Sequence, residues 1–81
     1  MDMRQIVGKN VRAWRLKRGF SQEELAFESG LHRTYVSAVE RGLRNPTVEI
    51  VGKLAAALSV RPLMLLDDYD EKTDKPLIGD T

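Results

Sequence analysis

Apolar residues recur at helical spacing along most of the chain, and a breaker closes each run. Val7, Val11, Trp14 and Leu16 form a loose stripe that predicts a first helix over about residues 3–18. Arg12, Arg15, Lys17 and Arg18 lie mostly beside or opposite it. Gly19 ends this helix, and cations in the last turn suit its dipole. Phe20 then packs inward. Ser21 with Glu24 three residues on reads as a capping box, so a second helix starts there with Leu25 and Ala26 inward. Gly30 is expected as the left-handed residue of the next turn, anchored by Leu31. A third helix runs to about Arg41 with Val36 and Val39 on its inner face, and Gly42 stops it. Thr47 is the N-cap of a fourth helix, whose apolar face is Val48, Ile50, Val51, Leu54, Ala55 and Leu58. Gly52 inside it costs up to ~1 kcal/mol against alanine and is expected to serve close packing. Ser59-Val60-Arg61-Pro62 breaks the chain, and Pro62 suits the first position of a short fifth helix through Leu66. Residues 67–81 show no periodicity.

The pattern predicts an all-α, compact five-helix bundle without strands over residues 1–66, and an acidic, flexible tail over residues 67–81. Pro76-Leu77-Ile78 is the one apolar segment of that tail and can dock. At 81 residues a single domain is expected, and its small core would gain from a dimer. With no cysteine and one histidine, no metal site or cofactor is expected. No apolar run approaches the roughly 20 residues of a membrane span. The N-terminus lacks a signal-peptide layout, so a cytoplasmic protein is expected.

Charge changes this picture. Residues 1–66 carry 11 Lys/Arg against 6 Asp/Glu, a balance of +5, and residues 67–81 carry 2 Lys against 6 Asp/Glu, a balance of −4. A basic body with an acidic tail is compatible with a nucleic-acid partner, and an ordinary solvated surface explains it as well. Catalysis has little support, because no nucleophile–base set or phosphate loop is present. The second and third helices, joined by a tight glycine turn, have the shape of a pair that enters the DNA major groove.

Ser21-Gln22, Leu25-Ala26, Gly30-Leu31, Val36-Ser37, Glu40, Gly42, Asn45-Pro46, Leu54-Ala55 and Leu58 stand in one register. They resemble the Cro/C1-type (XRE family) helix-turn-helix domain of phage repressors and their bacterial relatives. Val7-Gly8-Lys9, Val11-Arg12, Arg15 and Gly19-Phe20 fit the same pattern. The resemblance spans roughly residues 5–66. Within the family, His32-Arg33-Thr34-Tyr35-Val36-Ser37 and Arg44-Asn45 are similar to a run in restriction–modification controller proteins. This implies a lambda-repressor-like fold of bacterial or phage origin and a double-stranded operator as partner.

Candidate roles follow for single residues. Arg33 opens the third helix and can bond the O6 and N7 of guanine, worth about 1–3 kcal/mol of discrimination. The alternative is a solvated or phosphate-bound arginine. Thr34 offers a hydroxyl and a methyl to a base edge, or is a plain surface residue. Tyr35 can reach a base or phosphate, or pack against the second helix. Ser37 and Ala38 sit one turn on, Ser37 for groove fit or phosphate and Ala38 for a close approach to the bases. Gln22 is the phosphate candidate at the second helix's positive end. Arg44 and Asn45 face the flanking backbone, and Arg41 and Lys17 are weaker candidates. The resemblance pairs Arg15 with Glu40 in a partly buried ion pair that fixes the third helix, and it buries Leu65 and Leu66. Leu63 and Met64 are then surplus hydrophobes, which with Val60 suggest a symmetric homodimer. His32 and Arg61 depart from the family pattern, both at helix starts, and imidazole is a poor cap. Trp14 is expected in the core. The expected function is operator binding with transcription controlled by occlusion or by contact with RNA polymerase, a candidate partner. The rival is an antitoxin-like interaction module with secondary DNA binding.

Overall fold

The structure, a computed structural model, describes residues 2–70 together with 75 and 76. Five helices account for most of it. They are α1 (Met3–Lys17), α2 (Gln22–Ser29), α3 (Arg33–Glu40), α4 (Val48–Leu58) and α5 (Leu63–Leu66). The core is Val7 and Val11 of α1, Leu25 and Ala26 of α2, Val36 and Val39 of α3, Val51, Leu54, Ala55 and Leu58 of α4, and Leu65 of α5. Trp14, Phe20, Leu31 and Tyr35 pack around it.

The helix starts follow local chemistry. Ser21 Oγ accepts from Glu24 N–H at 3.0 Å, and the Glu24 carboxylate accepts from Ser21 N–H at 2.7 Å. Asp2 and Gln5 make the same reciprocal box at α1, and the Gln5 N–H holds the Asp2 carboxyl below its ordinary value. Thr47 Oγ1 accepts from Ile50 N–H at 3.2 Å. His32 precedes α3 without any side-chain cap. The ends of α1 to α4 share one closure, in which the residue after a left-handed one donates back to a carbonyl five positions earlier. Glycines 19, 30 and 42 supply the left-handed residue three times, and Ser59 at φ 59° supplies the fourth.

Several expectations need correction. Leu16 is 54% exposed and Val48 90% exposed, so neither joins the core. Val48 opens α4 directly after its cap, at the edge of the apolar face. Leu66 is 39% exposed, against the burial that the resemblance implied. Gly52 meets nothing within 4 Å, and the tight glycine is Gly8. A Cβ on Gly8 would overlap the Val39 carbonyl oxygen and lie 2.9 Å from that of Glu40.

Side chains of α1 tie down the C-terminal segment. Asn10, 3% exposed, donates through Nδ2 to the carbonyls of Leu65 at 3.0 Å and Asp67 at 2.6 Å. Arg18 donates to the carbonyls of Leu58 at 2.7 Å and Ser59 at 3.3 Å. It thus closes the end of α4 rather than serving only its own helix. Lys9 Nζ meets Asp68 Oδ1 at 3.0 Å. Beyond α5 a short antiparallel ladder, β1 (Tyr69–Asp70) with β2 (Lys75–Pro76), pairs Tyr69 with Pro76 and Asp70 with Lys75. It adds two short pieces of extended chain to a segment expected to lack regular structure. Leu77 and Ile78 of the expected docking segment lie outside the described residues.

Candidate DNA interface

Alpha-helical geometry divides α3 into two faces. Val36 and Val39 lock its inner face into the core. Arg33, Thr34 and Arg41 are exposed and Ser37 is half-buried, and their spacing sets them on one outer face. Tyr35 is half-buried and packs against the core, which leaves it on the flank. Ala38, expected to allow a close approach to the bases, is the smallest residue of this helix. It is 9% exposed, and its carbonyl accepts from Leu43 N–H at 2.9 Å. Four residues after Thr34, it lies one turn further along the same side of the helix.

Orientation of that outer face depends on Glu40. Its side chain is 3% exposed and receives the Arg15 guanidinium in a fork, Nε to Oε2 at 2.6 Å and Nη2 to Oε1 at 3.1 Å. Arg15 also donates through Nη1 to the Phe20 carbonyl at 2.9 Å. Gln22 Nε2 donates to Glu40 Oε1 at 3.1 Å. One carboxylate therefore joins the side chains of α1 and α2 to the end of α3. Close contact at Gly8 lets the α3 backbone sit near enough for this bond.

Gln22 thus has a structural partner that the sequence pattern did not reveal. Its amide carries a second hydrogen, and its backbone N–H belongs to the open first turn of α2. Glu23 and Glu24 occupy that same turn and oppose an anion there. Arg44 and Asn45 are exposed in the loop after α3, next to Leu43, which is 61% exposed. Arg41 leans back on its own helix, Nε to the Ser37 carbonyl at 3.4 Å, and remains exposed. Lys17 lies over the Trp14 ring at 4.8 Å, with Arg18 at 5.2 Å. Those contacts hold both cations on an aromatic ring of their own segment. His32 is exposed at the start of α3.

At the other end of the molecule Leu63 is 57% exposed, Met64 half-buried and Leu66 39% exposed. Val60 packs on the core from the α4–α5 turn. Among the described residues no group of three acidic, cysteine or histidine side chains is placed to hold a metal, and no helix is long and apolar enough to cross a membrane.

A helix-turn-helix family model matches residues 11–65. The chain is 49% identical over 67 residues to the control protein C.BamHI of Bacillus amyloliquefaciens, covering 82% of this chain and 83% of that one. The structure of the restriction–modification controller C.AhdI from Aeromonas hydrophila superimposes with TM-score 0.74 and 47% identity over 76% of this chain and 94% of that one. The C.Esp1396I controller, solved as a tetramer with its natural 35-base-pair operator, matches with TM-score 0.74 and 32% identity over 80% of this chain and 86% of that one. The family match over residues 11–65 and these identities place this chain in the Cro/C1-type (XRE) helix-turn-helix family of transcription regulators, with restriction–modification controllers among its close homologues.

Proposed function

We propose that the chain is a sequence-specific transcriptional regulator that binds a pseudo-palindromic operator as a symmetric dimer in the cytoplasm of a bacterial host. The observation that carries this reading is the division of α3. Its outer face presents Arg33, Thr34 and Ser37, while its inner face and the Arg15–Glu40–Gln22 cluster hold its angle. Arg33 and Thr34 read base edges, with Tyr35 and Ser37 on the flank of the contact. Arg44 and Asn45 hold the flanking phosphates, with Gln22 and Arg41 as lesser contributors. Leu63, Met64 and Leu66 meet their counterparts across a two-fold axis. The axis sets the second α3 about one DNA turn (~34 Å) away. Transcription is then controlled by operator occlusion or by contact with RNA polymerase.

Selection of bound sequences from a random DNA library tests the reading. A two-fold related consensus is expected, with affinity falling steeply as salt rises. Arg33→Ala should lose about 1–3 kcal/mol at one base pair and relax the consensus there. Arg44→Ala should weaken operator and random DNA alike and lower the salt slope by about one. Equal losses from both variants on both DNAs would sink the division of roles.

A further inference from the structure

α1 buries two polar side chains, Asn10 and Arg15, and each holds a different helix. Arg15 holds α3 through Glu40. Asn10 holds α5. Its amide nitrogen donates to the carbonyls of Leu65, inside α5, and of Asp67, its C-cap. The last carbonyls of any helix lack partners within it, and a single turn is too short to fix its own direction by internal hydrogen bonds. α5 is such a turn. Its direction comes from Leu65, which is fully buried, and from the Asn10 amide. Arg18 adds a second fastening just before α5, at the carbonyls of Leu58 and Ser59. Leu63 and Leu66, on the exposed side of α5, therefore face where α1 sets them. The same helix seats α3, by the close contact at Gly8 and the fork at Arg15. Gly8, Asn10 and Arg15 lie within about 10 Å of each other along one helix.

We propose that Asn10, assisted by Arg18, is a positioning residue for operator recognition, fixing the distance and angle between α3 and the two-fold axis of the α5 dimer. This role presupposes the dimer proposed above. Across a two-fold axis, any displacement of α3 from the axis is doubled in the separation of the two copies. One base pair more or fewer between half-sites shifts them by about 3.4 Å and rotates them by about a tenth of a turn. A firmly seated α5 therefore rejects such operators. A loosened α5 accepts a range of spacings and binds the best one more weakly, because its order must be restored on binding. Asn10 touches no DNA in this scheme. Selectivity for spacing passes through it, and selectivity for bases does not.

Half-sites from the library selection are rebuilt as duplexes at the selected spacing and with one base pair inserted or removed. Wild type should bind the altered duplexes at least about tenfold more weakly. Asn10→Ala removes the donors and leaves room for water on the freed carbonyls. It should sediment as a dimer at tens of micromolar, bind the selected spacing more weakly and prefer it by less than about threefold. Ser29→Ala is the matched control, because the Ser29 hydroxyl is buried and donates at 2.7 Å to the Leu25 carbonyl within α2. It should lower stability and keep the wild-type preference. Where wild type is selective, an Asn10→Ala preference equal to that of Ser29→Ala overturns the role of Asn10 and leaves the dimer reading intact. A monomeric Asn10→Ala overturns it also, since indifference to spacing then reports lost pairing. If Asn10→Ala does not fold, Arg18→Ala, at an exposed side chain, takes its place. A narrowed preference in that variant supports the link, and an unchanged one overturns it. A wild type that binds all spacings equally, or selects no two-fold consensus, removes the dimer reading and this role with it.

Discussion

Replacing Glu40 by glutamine leaves the Arg15 guanidinium, whose side chain is 11% exposed, against a neutral amide. A buried ion pair broken on one side typically costs about 3–5 kcal/mol, because the remaining charge keeps its desolvation cost without its partner. Glu40→Gln is therefore expected to lose about 3 kcal/mol in urea unfolding. Arg15→Met with Glu40→Met should be less harmful than the sum of the two single changes. Ser59 offers the opposite case. Its φ of 59° puts a side chain in the left-handed region that glycine occupies at the three equivalent helix ends. Ser59→Gly should stabilise the protein by about 0.5–1 kcal/mol, read as a rise in Tm, since the left-handed penalty of roughly 1–2 kcal/mol outweighs glycine's added chain entropy.

Packing of whole helices turns on two glycines of contrary character. Gly8→Ala drives a methyl into the α3 backbone at Val39 and Glu40, and main chain cannot step aside as a flexible side chain does. The expected loss is about 1–3 kcal/mol, with weaker operator binding because α3 is pushed from its angle. Gly52→Ala has open space in the α4 interior and should gain up to ~1 kcal/mol. Thermal unfolding of both variants checks the pair. Periodicity in the sequence marks Gly52 as the anomaly and passes over Gly8. A close approach between helices leaves no trace in the spacing of one helix. Boundaries were legible for the reverse reason. Ser21 with Glu24, Thr47 and the glycines at 19, 30 and 42 act within four residues of themselves. Asn10 and Arg18 act across 40 residues or more, on carbonyls that carry no side-chain signature. The exposed α3 residues Arg33 and Thr34 could be placed from spacing, and the Gln22–Glu40 bond could not.

At the scale of the molecule, Leu63 and Leu66 stand out of the four-residue α5, while Phe27 of α2, Leu43 of the loop after α3 and Val48 of α4 are exposed elsewhere. A second copy is the occupant we propose for the pair on α5, which lie on one short helix. Sedimentation should give a dimer at tens of micromolar and a monomer for Leu63→Glu, with operator affinity falling in the same variant. A monomer for both would remove the α5 interface. Of the acidic residues after α5, Asp68 is paired with Lys9 of α1.

The bond between Glu40 and its two donors has a consequence for descent. The residues that hold α3 are Arg15, Gln22 and Glu40, with Val36 and Val39 beneath, and none of them is Arg33, Thr34 or Arg41. Within α3 and its C-cap, Val36, Val39 and Glu40 make the mounting, while Arg33, Thr34 and Arg41 make the outer face. Duplicated copies of such a gene can exchange the outer set one residue at a time without meeting a stability barrier. A lineage built on this mounting can acquire new operators faster than it can acquire new folds.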